Sequence, residues 1–107
     1  MSNLKPLYKK FIDNNINKLS NIKYIYGGQT LEQRQIQHER INNKFLNMNI
    51  KKIFKCLDKR QINLAETYLI EQLNNKYGNK CLNIAMIGGG GQRHSIGDHH
   101  ILYIMYK

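Results

Sequence analysis

Glycine falls at three places in this 107-residue chain, and those places set where regular structure can start and stop: Gly27–Gly28, Gly78, and a loop holding Gly88–Gly91 and Gly97. The only proline is Pro6. Glycine and proline are the strongest local breakers, so the elements are read against these marks. Residues 4–19 put Leu4, Leu7, Tyr8, Phe11, Ile12, Ile16 and Leu19 at helical spacing. Pro6 fits a first turn, where its missing N–H is not needed. Residues 22–26 (IKYIY) are β-branched and aromatic and predict a strand that turns at Gly27–Gly28. Thr30 with Gln33 forms a capping box, predicting a helix from about Leu31 with Arg34, His38, Ile41 and Phe45 on one face. Residues 49–57 repeat Ile50, Ile53, Phe54 and Leu57 and predict a short helix. Asn63 with Glu66 predicts another, running to about Lys76 and stopped by Gly78. Residues 81–87 and 100–106 read as strands joined by the glycine loop. The order α-β-α-α-α-β-β describes one small α+β domain over residues 1–107, a three-stranded antiparallel sheet flanked by helices.

Charge narrows the function. Seventeen Lys and Arg stand against seven Asp and Glu, a formal charge of +10. Such a surplus favours a polyanionic partner, with nucleic acid ahead of a membrane surface. The bland alternative is compositional. Lys, Asn, Ile and Tyr are abundant, as A/T-rich codons give in a virus or mobile element. No run reaches the roughly 18–20 apolar residues of a membrane span. The start, MSNLKPLYKK, has no secretory pattern. Cys56 and Cys81 form no zinc spacing and sit among apolar residues. Two reduced thiols in an intracellular, non-secreted protein are expected.

The segment from Tyr24 to His38 holds Tyr26-Gly27-Gly28-Gln29-Thr30, then Arg34 and, four residues on, His38. Farther along come Ala65-Glu66-Thr67-Tyr68-Leu69-Ile70 and Leu82-Asn83 followed by glycines. In that order the three pieces resemble the GIY-YIG nuclease signature over residues 24–90. Tyr26-Gly27-Gly28 stands for Tyr-Ile-Gly with Gly27 in place of Ile, residues 65–70 look like the family's Glu helix, and Leu82-Asn83 looks like its Leu-Asn segment. The family's opening Gly-Ile-Tyr has no counterpart upstream, where Asn14–Asn17 stand. Ile101-Leu102-Tyr103 resembles it without the glycine. A circular permutation is therefore expected, with residues 100–106 inserted between strands 22–26 and 81–87 and antiparallel to both.

The resemblance implies a metal-dependent DNA endonuclease that leaves 5′-phosphate and 3′-hydroxyl ends. Glu66 would hold Mg²⁺ or Mn²⁺, and Arg34 would offer its fixed fork of donors to the phosphate. Tyr26 or Tyr103 would be the general base, since a nearby cation lowers a phenol's pKa. His38 would orient water or move a proton, and Asn83 would hold the site's loop or a metal-bound water. Lys23, Gln29, Lys51, Lys52, Lys55 and Arg93 are the expected nucleic-acid contacts. Sequence choice would come from a homodimer or an accessory specificity protein, because no separate DNA-reading module is visible. Each residue also has a plainer use. Glu66 closes the capping box begun by Asn63, the tyrosines pack a sheet, and the lysines are a solvated face. The alternative function is accordingly a nuclease-derived protein that grips nucleic acid without cutting it.

Overall fold

The computed structural model describes residues 4–32, 43–83 and 99–107. Helix α1 covers Pro6–Asn17, with Pro6 in its first turn and Ile12 and Ile16 buried. Strand β1 is Ile25–Leu31, β2 is Asn49–Cys56, α2 is Lys59–Tyr77 and β3 is His100–Tyr106. The sheet order is β1-β3-β2, and both pairings are antiparallel. The architecture is α+β, with α2 against β1 and β3, and α1 against β2. Ile62, Ala65, Leu69 and Leu73 of α2 meet Ile12 and Ile16 of α1, Ile25 of β1 and Leu102 and Ile104 of β3 in the main core. Among the described residues no helix is long and apolar enough to cross a membrane.

The C-terminal strand lies at the centre of the sheet, antiparallel to both neighbours, as the sequence predicts. Its second neighbour is different. Residues 49–56 are a strand rather than a helix. A β-bulge between Lys52 and Phe54 inserts Ile53 and resets the alternation, so Ile53 and Phe54 both pack on the core. That one-residue shift makes a strand show the apolar spacing of a helix. The ends of the supposed helical stripe, Ile50 and Leu57, are exposed. Residues 81–83 run beside the outer edge of β1 instead, with a parallel bridge between Cys81 and Ile25 and the Leu82 N–H donating to the Ile25 carbonyl at 2.8 Å. The rest of the predicted strand, residues 84–87, lies outside the described residues.

Two boundaries also move. Gly27 and Gly28 sit within β1 rather than in a turn, and Thr30 and Leu31 are its last residues rather than a helix start. Helix α2 begins at Lys59, where the Asp58 carboxylate accepts from the N–H groups of Arg60 and Gln61 at 2.9 and 3.3 Å. Asn63 and Glu66 are therefore inside the helix, and Glu66 closes no capping box. Gly78 ends α2 with a φ of 55° and a ψ of −120°, not the left-handed helical cap but a positive-φ conformation that favours glycine.

Candidate active site

Glycine in a strand marks a close approach, and β1 has two such approaches on opposite faces. A Cβ on Gly27 would lie 2.8 Å from Leu69 Cδ2, so the missing side chain lets α2 settle against the strand. A Cβ on Gly28 would lie 2.6 Å from the Tyr103 hydroxyl and 3.1 Å from the Tyr26 ring. Gly28 faces Tyr103 in the ladder, and the phenol folds over the space the glycine leaves. Tyr26, two residues earlier on the same face, meets Phe45 edge-on at 5.2 Å. Tyr103 and Met105 are buried in this second, smaller cluster.

Glu66 comes from the helix-covered side. It follows Ile62 and precedes Leu69 on α2, at the margin of the core-facing stripe, and is itself buried. Gln29 of β1 reaches it. The Gln29 Nε2 donates to Glu66 Oε1 at 3.0 Å and to Asn63 Oδ1 at 2.7 Å. Asn63 thus helps to hold the amide that holds the carboxylate. The capping pattern in the sequence concealed that role.

The two phenols and the carboxylate feel one another through a strand with no side chains at Gly27 and Gly28. Burial raises the Tyr26 pKa above its ordinary value, and the Glu66 charge and Cys81 add to the rise. Burial raises Tyr103 much further, with smaller contributions from Tyr26 and Glu66. Both phenols are therefore neutral at physiological pH.

Asn83 fixes the strand that carries these groups. Its Nδ2 donates to the Gly27 carbonyl at 2.8 Å, and its Oδ1 accepts from the Gly27 N–H at 2.9 Å. One side-chain amide thus replaces a neighbouring strand's peptide group. The Cys81 thiol also donates to Asn83 Oδ1, at 3.4 Å. Asn83 is a positioning residue, with both ends of its amide engaged by Gly27.

The expected nucleic-acid contacts divide. Gln29 is bound within the site. Lys52 and Lys55 are exposed on β2, paired in the ladder with Tyr103 and Ile101. Lys55 also makes a 3.1 Å ion pair with Glu32. Lys51 is half-buried opposite Ile104, and Lys23 is exposed with its ammonium 5.8 Å from the Tyr24 ring centre. Arg34, His38 and Arg93 lie outside the described residues.

The donor chemistry suits a hard cation. Among the described residues no group of three His, Cys, Asp or Glu side chains gathers into an all-protein cage. A single carboxylate is the usual protein share for Mg²⁺, which keeps several waters and takes further oxygens from substrate phosphates. Glu66, a buried carboxylate held by the Gln29 carboxamide, is the described residue that could supply that share. The chain matches no family model, no curated protein and no solved structure.

Proposed function

We propose that this protein is a metal-dependent DNA endonuclease of the GIY-YIG kind, with the family's first strand at its C-terminus. The observation that carries the reading is that Tyr26 and Tyr103 close over Gly28 while Glu66, on the other face of the same strand, lies within electrostatic reach of both phenols. The central, antiparallel position of β3 supports it too, because the family's first strand takes that place.

Hydrolysis needs a water to attack phosphorus, the bond to the 3′-oxygen to break, and that oxygen to be protonated. Glu66 would hold the cation, which when bound relieves charge on the phosphoryl oxygens and lowers the pKa of groups beside it. Tyr26, only half-buried, would first lose its own proton to solvent and, as the phenolate, accept that of the attacking water, while solvent returns a proton to the leaving 3′-oxygen. Tyr103, the more deeply buried phenol, stays neutral and donates a hydrogen bond to the phosphate. Gln29 and Asn63 keep the carboxylate in place, Asn83 keeps the strand in place, and Arg34 pairs with the phosphate.

One observation favours the second reading, a binding protein that no longer cuts. Both phenols are raised in pKa, which opposes a general base. Incubating supercoiled plasmid with the protein and Mg²⁺ or Mn²⁺ separates the two. Nicking by the native chain and none by Glu66→Gln supports the nuclease. Binding without any nicking across relaxed, branched and single-stranded DNA supports the second reading.

A further inference from the structure

Helix α2 opens with two exposed cations, Lys59 and Arg60. A cation at this end of a helix opposes the backbone dipole. No acidic residue occupies the first turn, and among the described residues neither cation joins an ion pair. Helix stability does not account for them.

With Asn63, Leu64 and Thr67 they border an open hollow of about 530 Å³, all five on one face of α2. Half-buried Leu64 gives that helix face an apolar patch beside the two charged side chains. A compact anion has no use for that patch. A polynucleotide strand does, because apolar sugar faces alternate with phosphates along it. This face also leads to the candidate site. Asn63 lies on it and accepts from Gln29, which donates to Glu66.

We propose that this helix face carries the DNA strand beside the phosphate to be cut, with Lys59 and Arg60 on its backbone. The inference rests on the nuclease reading for its placement relative to Glu66. Six to seven helical residues separate the cations from Glu66, a rise of about 10 Å along the axis. Phosphates of one strand advance about 3.4 Å along a duplex axis, so the contacts fall about three nucleotides from the cut.

The test compares the native chain with Lys59→Ala/Arg60→Ala and with a control of equal charge loss, Lys10→Ala/Lys18→Ala. Both control residues are exposed and lie at or beside α1. Circular dichroism first establishes that all three are folded. Binding to a fluorescein-labelled DNA duplex is then measured in EDTA over a range of salt. Two lost phosphate contacts should reduce the slope of log affinity against log salt by about 1.8, and the control should leave it nearly unchanged. An unaltered slope in the α2 variant, an equal drop in the control, or no binding by the native chain at low salt overturns the proposal. Plasmid nicking with Mg²⁺ is scored separately. A slope change in a protein that never nicks removes the nuclease reading and keeps the DNA-binding face, whereas nicking with no slope change removes that face alone.

Discussion

Gly28 owes its place to the Tyr103 hydroxyl, which occupies the space a Cβ would need. Gly28→Ala should therefore destabilise the fold by about 1–3 kcal/mol through overpacking and displace Tyr103, as read by denaturant unfolding and tyrosine fluorescence. An unchanged midpoint would contradict the close packing. Asn83→Ala should cost about 1–3 kcal/mol, because the Gly27 N–H and carbonyl both lose their partner. The pH dependence of cleavage separates the two phenol roles. If Tyr26 accepts the proton, kcat rises with pH until that phenol is ionised, and Tyr26→Phe removes the rise. If Tyr103 is only a neutral donor, Tyr103→Phe lowers kcat and leaves the profile's shape alone. Tyr26, Glu66 and Asn83 stand out in the sequence as a set only through the order of the signature it resembles. Asn63 was misread as a cap, and its link to Gln29 was not legible, since a hydrogen bond between a strand and a helix leaves no mark in local spacing.

At the scale of elements, β3 explains why the last residues cannot be spared. It pairs with β1 along one edge and β2 along the other, and Leu102 and Ile104 are fully buried. Removing residues 100–107 leaves β1 and β2 without a common neighbour, and it takes Tyr103 from the site. The truncated chain should lose its cooperative thermal transition, whereas survival of that transition would show that β3 is dispensable. Helix α1, the strand character of residues 100–106 and the Gly78 stop were readable, because each follows an undisturbed period or a single special conformation. Strand β2 was not, because its bulge turns a two-residue alternation into a helix-like spacing. Nor was the start of α2, where two capping patterns compete. Asp58 captures the first N–H groups, and Asn63 is left to serve the site.

Over the whole molecule, charge and buried phenols set the response to solution conditions. Burial and the Asp13 carboxylate, which accepts the Tyr68 hydroxyl at 2.7 Å, push the Tyr68 pKa up to about 12. Tyr26, Tyr77 and Tyr103 are also raised, with burial the leading cause in each. A raised folded pKa gives stability that is complete below the unfolded value of 10.0 and is lost as pH climbs toward the folded value. Denaturant midpoints should therefore hold steady to about pH 9 and fall above pH 10, and a flat profile there would contradict the burial of these groups. Tyr26, Tyr103 and Glu66 are proposed to serve one phosphodiester-cutting site. The most direct test is cleavage of end-labelled DNA with Mn²⁺ by the native chain, Glu66→Gln and Tyr103→Phe, each first shown to be folded. The native chain should leave 5′-phosphate and 3′-hydroxyl products, with at least a hundredfold loss (about 2.7 kcal/mol of transition-state stabilisation) in Glu66→Gln and a clear loss in Tyr103→Phe. Native-level cleavage by Glu66→Gln, or no cleavage by the native chain on any DNA structure, would contradict that proposal.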